Sequence, residues 1–277
     1  MSFDFFLPVL TYPDPTPVAG LTRALDMAAS IGGRLSPLIA EIDIPPLHNA
    51  FAEMMINVSA MAAEAEKRSR ETGDQIGAEI EHLGRRLSLP VKLARQECTA
   101  VELPGAFAAE ARIHDCSLLV LDPTGQGHLD LAEAILFGSG GPVLHCPTDE
   151  GPGHLMSVSI AWDGGRAAAR TIRDALPILK RARSVTVLTL DDDKPIAGES
   201  TKGIQEFLLY HGITSDHASR RRETASAGEA LQAFSLEIGA GLLVMGAYGH
   251  SRVREFVLGG ATASVLQHAL LPIFMSH

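Results

Sequence analysis

Residues 242–274 read LLVMGAYGHSRVREFVLGGATASVLQHALLPIF, and the order of elements in this stretch decides the fold. Leu242-Leu243-Val244-Met245 is an unbroken apolar run, as expected of a parallel strand buried on both faces. It stops at Gly246. Glycines follow at 249, 259 and 260, Thr262 leads into a helical run, and Pro272-Ile273-Phe274 reads as a last short strand. Strand, glycine loop and helix start together present backbone N–H groups to a phosphate. Glycine at such positions lets an anion approach the backbone closely. The same glycines also suit a long loop that only has to turn.

The chain repeats this order of elements around a break at Cys146-Pro147-Thr148-Asp149-Glu150-Gly151-Pro152-Gly153, a polar stretch with two prolines and two glycines that reads as a linker. After it, Val158–Ala161 is a strand, and Ile172, Ala175, Leu176 and Leu179 mark one face of a helix that Pro177 ends or kinks near its last turn. Val185–Leu190 (VTVLTL) is rich in β-branched residues, a second buried strand. A helix over 201–211, a strand near 213–218 and a helical stripe at Ala227, Leu231, Phe234 and Ile238 bring the chain to Leu242. Before the break come strands at Leu7–Leu10, Leu35–Ile42, Val91–Gln96, Leu118–Leu121 and Pro142–Leu144. Helices at Leu21–Ile31, 49–87 and Gly105–Ile113 alternate with them, with Ile76, Ile80, Leu83 and Leu87 on one face of the long one. Such alternation predicts two α/β domains, 1–149 and 154–277, each a doubly wound five-stranded parallel sheet with right-handed crossovers.

The spacing Gly246-x2-Gly249-x9-Gly259 resembles the nucleotide-binding signature of the universal stress protein family, whose ATP-binding members read G-x2-G-x9-G-[ST]. The flanking strand and helix fit as well. Gly260 departs from it, standing where those members carry Ser or Thr; Thr262 offers a hydroxyl two residues on. The resemblance implies strand order 3-2-1-4-5 in each half, and ATP or another adenine nucleotide as ligand, with or without Mg²⁺. It also implies the nucleotide-contacting positions Ala161, Asp163, Thr189, Met245, Gly246, Gly249, Ser251, Arg252, Gly259, Gly260, Ala261 and Thr262. Asp163 ends the first strand of the second half, where an acidic side chain can accept from a ribose hydroxyl or an adenine amino group. It can equally cap the helix that follows. Arg252 would offer a forked donor to a terminal phosphate, and His250 lies in the same loop. In the family, domains pair through the last strand. That implies pairing of Pro142–Leu144 with Pro272–Phe274 inside one chain, and allows a homodimer of whole chains.

The two halves differ at the loop. Aligning Leu118–Leu121 with Leu242–Met245 leaves 21 positions from Leu121 to Pro142 against 27 from Met245 to Pro272. The first half then lacks six residues of the loop and the helix after it. Asp122 falls opposite Gly246, and Pro123 has no N–H to give. Thr11-Tyr12-Pro13-Asp14-Pro15-Thr16-Pro17 stiffens the other side of that site with three prolines. One nucleotide site per chain, in the second half, is the expectation.

Composition narrows the remaining classes. With 46% hydrophobic and 20% charged residues the chain is globular. Its net charge of −10, with Arg220-Arg221-Arg222 the sole dense basic patch, argues against nucleic acid. No run approaches a membrane span, MSFDFFLPVL lacks the basic start of a signal peptide, and three cysteines (98, 116, 146) without metal-like spacing suit a reducing cytoplasm. The eleven histidines have no metal-ligand pattern, and Met54, Met55 and Met61 read as core. There is no Walker loop, nucleophile elbow or acid–base pair beside the loop. By resemblance the function is stress-related regulation through nucleotide binding and not catalysis. A nucleotide-free interaction protein of the same fold is the alternative, and a slow ATPase a third.

Overall fold

The computed structural model describes residues 3–46, 57–122, 124–125, 127–148, 153–191, 198–221, 226–247 and 261–277. The first half runs β1 (Phe3–Val9), α1 (Val18–Ile31), β2 (Gly33–Ile42), α2 (Val58–Leu87), β3 (Ala94–Cys98), α3 (Leu103–Ala111), β4 (Cys116–Val120), α4 (His128–Gly138) and β5 (Val143–Cys146). The second runs β6 (Ser157–Ala161), α5 (Arg166–Leu179), β7 (Ser184–Leu190), α6 (Gly198–Tyr210), β8 (Asp216–Arg220), α7 (Ala227–Glu237), β9 (Leu242–Gly246), α8 (Ala261–Gln267) and β10 (Ile273–Ser276).

All ten strands share one sheet, ordered β3-β2-β1-β4-β5-β10-β9-β6-β7-β8. Each half has the order 3-2-1-4-5. Every pairing within a half is parallel, and the halves meet where β5 and β10 pair antiparallel. Because parallel crossovers put helices on both faces, strand residues of both parities are buried. Phe5, Leu7 and Val9 enter the core beneath α1, α2, α5 and α6. Phe6 and Leu10 enter the opposite core beneath α3, α4, α7 and α8. Each core runs across the junction of the halves.

The helices follow their sequence signals. Ile76, Ile80 and Leu83 of α2 are buried in a row against β2. Ser226 opens α7 with a capping box: its hydroxyl accepts from the Glu229 N–H at 3.2 Å while Glu229 accepts from the Ser226 N–H at 2.8 Å. α5 runs through Pro177 and ends two residues later at Leu179. The missing N–H there costs little so near the terminus. Three expectations need correction. β3 starts at Ala94, with Val91 making only an isolated bridge to Leu35, and β8 starts at Asp216; both are edge strands, where an apolar run says less about register. Met61 is 63% exposed and not core, since it lies on the first turns of α2 ahead of the face that packs on β2. Met54 and Met55 lie outside the described residues.

Backbone hydrogen bonds fix which residues of the two halves correspond. Asp115 N–H donates to Asp4 O at 3.0 Å, as Gly241 N–H does to Ser157 O at 2.9 Å. Ser117 N–H donates to Pro142 O at 2.9 Å, as Leu243 N–H does to Pro272 O at 3.0 Å. Ser117 therefore corresponds to Leu243 and Val120 to Gly246, which moves the expected alignment by two residues. From Ser117 to Pro142 is 25 positions and from Leu243 to Pro272 is 29, so the first half is short by four residues, not six. The helix is not what was lost: α4 has 11 residues and α8 has 7. Residues 121–127 join β4 to α4, and 248–260, which follow β9, lie outside the described residues.

Candidate functional site

The crevice at the carboxyl ends of the first and fourth strands of a half is where an α/β sheet of this order receives a ligand, because the helices after those strands leave toward opposite faces. In the first half a buried imidazole spans it. His128, the first residue of α4 and 3% exposed, accepts from the Asp122 N–H through Nδ1 at 2.8 Å and reaches Asp14 O through Nε2 at 3.2 Å. Since Nδ1 accepts, Nε2 carries the proton and donates. The imidazole thus ties the turn after β4 to the turn after β1. The Asp122 N–H is already used by it. Asp122 itself accepts from the Thr124 hydroxyl and N–H at 2.6 and 2.8 Å, which holds its carboxyl below the usual range. A carboxylate fixed there also repels an anion. On the β1 side, Thr16 bonds Leu10 in both directions, and the buried Thr11 hydroxyl bonds Ala40 O at 2.6 Å and Ser69 Oγ at 2.7 Å. His128 escaped sequence reading because its partner Asp14 is 114 positions away.

In the second half the structure brings Ala161, Asp163, Thr189, Met245 and Gly246 to the carboxyl ends of β6, β7 and β9, adjacent strands held in register by Ile160 against Val187 and Val244. Asp163 is exposed, and its Oδ1 accepts from the Gly165 N–H at 2.7 Å. It shapes the turn, with Gly164 at φ +75°, through which β6 enters α5. It is not the helix cap; Gly165 holds that position without a side-chain bond. Trp162 N–H donates to Leu188 O at 2.9 Å and its indole Nε1 to Ser200 Oγ at 3.1 Å. Thr189 is buried and bonds His217 Nε2 at 2.9 Å, while the Met245 side chain belongs to the core beneath α7 and α8.

Gly246 has a packing reason of its own. A Cβ there would lie 2.4 Å from Ala168 N and 2.7 Å from Ala167 C, so the first turn of α5 crosses β9 at a distance only glycine allows. Beyond it, Ala247 donates to Ser276 O at 2.9 Å, and its carbonyl is 3.1 Å from His277 Nδ1. Ala261 and Thr262 open α8, with Thr262 buried. Gly249, Ser251, Arg252, Gly259, Gly260 and His250 lie outside the described residues. The first half borders this mouth: Arg170 of α5 donates to Gly140 O at 3.3 Å, and the His277 ring meets Phe137 of α4 edge-on at 4.8 Å.

Two doubly wound five-stranded units joined edge to edge define a tandem α/β protein. Its fold is that of the universal stress proteins. A universal stress protein from Archaeoglobus fulgidus aligns over 100% of this chain and 96% of its own, with TM-score 0.69 at 16% identity. A Pseudomonas aeruginosa protein assigned to the same family aligns over 99% and 93%, with TM-score 0.58 at 14% identity. A functionally unknown protein of Pseudomonas aeruginosa aligns over 98% and 92%, at 0.57 and 14%. No protein-family model and no curated protein sequence matches the chain. Among the described residues no helix is long and apolar enough to cross a membrane.

Proposed function

We propose that this chain is a regulatory protein of universal stress type that holds one adenine nucleotide, ATP or a relative, in its second half and performs no catalysis of its own. The observation that supports it is the difference between the two mouths. In the first, His128 ties the two turns together and takes up the Asp122 N–H. In the second, the sequence between Gly246 of β9 and Ala261 of α8 carries glycines at the spacing of a phosphate-binding loop.

The residues around that mouth suit a nucleotide. Asp163 is exposed with Oδ1 engaged, which leaves Oδ2 to accept from a ribose hydroxyl. Phosphate would rest on N–H groups of the glycine loop, with Arg252, Ser251 and Thr262 as side-chain donors. A Mg²⁺ ion would arrive with the phosphates and screen their charge; nothing here assigns it protein ligands. A second reading, a nucleotide-free protein that keeps the fold for association, draws on Gly246, whose lack of a side chain is already explained by α5. Mass spectrometry of ligand released from freshly purified protein, followed by titration calorimetry with ATP and Mg²⁺, separates the two. An adenine nucleotide bound at a stoichiometry near one supports the first; folded protein that binds none establishes the second.

A further inference from the structure

A second concavity, separate from the crevice between β6 and β9, lies between α5 and α6. It is a cleft of about 200 Å³, lined by Trp162, Ala169, Arg173, Ser200, Gly203 and Phe207. Its lining is mostly apolar, with Trp162 and Phe207 contributing aromatic side chains. Two polar groups point to a ligand. Ser200 Oγ accepts from the Trp162 indole, which leaves the hydroxyl proton to donate. Arg173 lies over the Phe207 ring, 5.6 Å from its centroid, and gives one N–H to its own helix at Ala169 O. Among the described residues it makes no ion pair with a carboxylate, although Arg170, one turn earlier, is matched with Asp174 at 2.7 Å.

We propose that this cleft binds a small planar aromatic carboxylate. The ring would pack against the Trp162 and Phe207 side chains, the carboxylate would take the forked donor of Arg173, and an acceptor on the ring edge would meet Ser200. Among the described residues a single cation, Arg173, lines the cleft, so a monoanion matches it better than a phosphate ester does. The site differs from that of the nucleotide proposed above, and neither depends on the other.

Trp162 is the chain's single tryptophan, so intrinsic fluorescence reports on the cleft itself. The probe is 2-naphthoate, checked against the neutral 2-naphthalenemethanol and confirmed by calorimetry. The parent protein should show saturable quenching by 2-naphthoate and binding at least tenfold weaker for the alcohol. Arg173→Gln should bring the acid down to the level of the alcohol, about a tenfold loss. Gly203→Leu should abolish binding; a Cβ at Gly203 meets nothing within 4 Å, so this variant fills the cleft without disturbing the helix. Circular dichroism checks that both variants are folded. Three results would each overturn the proposal: no saturable quenching in the parent, unchanged affinity in Gly203→Leu, or equal affinity for acid and alcohol. Displacement of naphthoate by ATP would overturn the claim of a separate site.

Discussion

Leu144 and Phe274 stand opposite each other in the β5–β10 pairing, and they are the same position of the two halves. Val143 pairs with Ser117 as Ile273 pairs with Leu243, so Leu144 corresponds to Phe274 and His145 to Met275. The pairs on either side, Val143 with Met275 and His145 with Ile273, exchange under the same two-fold relation. Each half thus covers the other's open edge, and the remaining edges, β3 and β8, carry charged residues such as Arg95, Glu97, Asp216 and Arg220 that discourage further pairing.

Truncating the residue on that axis tests whether the halves stabilise one another. Phe274 is fully buried, and Phe→Ala in a core costs about 3–5 kcal/mol. Phe274→Ala is expected to lower the stability of both halves together, with one unfolding transition seen by far-UV circular dichroism and by Trp162 fluorescence, which reports on the second half alone. A loss under ~1 kcal/mol, or a fluorescence transition shifted away from the circular dichroism transition, would show that the junction contributes little.

His145 makes the junction sensitive to acid. It is 2% exposed, its Nδ1 has no hydrogen-bond partner among the described residues, and burial pushes its pKa from 6.5 down to about 4, against the opposing effect of its bond to the Leu119 backbone. The unfolded chain therefore binds a proton that the folded one refuses between about pH 6.5 and 4. Stability from this group is complete above pH 6.5 and is lost as the pH falls through that window, by up to ~3 kcal/mol. Met occupies the corresponding place in β10. In His145→Met, urea unfolding at pH 7 and pH 4.5 should differ less than in the parent by about 2 kcal/mol, while the carboxylate contribution stays. Identical pH slopes would remove His145 from the account.

A packing role for Gly246 has a direct consequence. Gly246→Ala places a methyl group against the backbone of Ala167 and Ala168, which cannot yield as a side-chain tip does, so α5 must shift. The expected loss is about 1–3 kcal/mol or more, measured by urea unfolding with no ligand present. Unchanged stability would return Gly246 to the ligand. If the loss is seen, nucleotide binding by a Gly246 variant says nothing about phosphate contacts, and Gly249 is the better position to probe.

Much of the fold was legible because strands buried on both faces leave continuous apolar runs, Val185–Leu190 and Leu242–Met245 among them, and helices such as α2 leave an unambiguous face. Strand ends were less so. Leu121 continues the apolar run of β4 although the strand ends at Val120, and that set the alignment of halves two residues off. The resemblance supplied the pairing of β5 with β10, which local pattern does not contain. Asp163 was legible as a group at the mouth, but the cap reading failed: its side chain bonds the Gly165 N–H in the turn before the helix. Gly246 was singled out as a glycine for a ligand, when the contact that requires it comes from Ala168, far away in sequence. His128 and the Trp162–Ser200 bond went unread for the same reason.

If His128 is a plug, removing it should cost stability without creating a second site. His128→Ala deletes two hydrogen bonds from a buried ring, worth roughly 1–3 kcal/mol for groups left unsatisfied. Asp122 and the prolines after β1 remain to oppose a phosphate there. ATP stoichiometry should stay near one in parent and variant. A value near two in either would mean that the first half is open.

The last prediction places phosphate on the loop after β9. If Gly249 supports that loop by its backbone, Gly249→Val blocks close approach and, at a positive-φ position, adds about 1–2 kcal/mol of strain. Two or three charge-assisted hydrogen bonds at roughly 1.5–3 kcal/mol each would be lost with it, a weakening of several hundred-fold or more. Gly260→Ser works the other way: it restores the hydroxyl that the ATP-binding signature carries after its last glycine, for a gain of about 1 kcal/mol, roughly fivefold in affinity. The two variants move in opposite directions for one reason, so general damage to the loop cannot imitate the pair. ATP affinity by calorimetry, with circular dichroism to show that both variants are folded, is the measurement. Folded Gly249→Val protein that binds ATP as tightly as the parent would place the phosphates elsewhere.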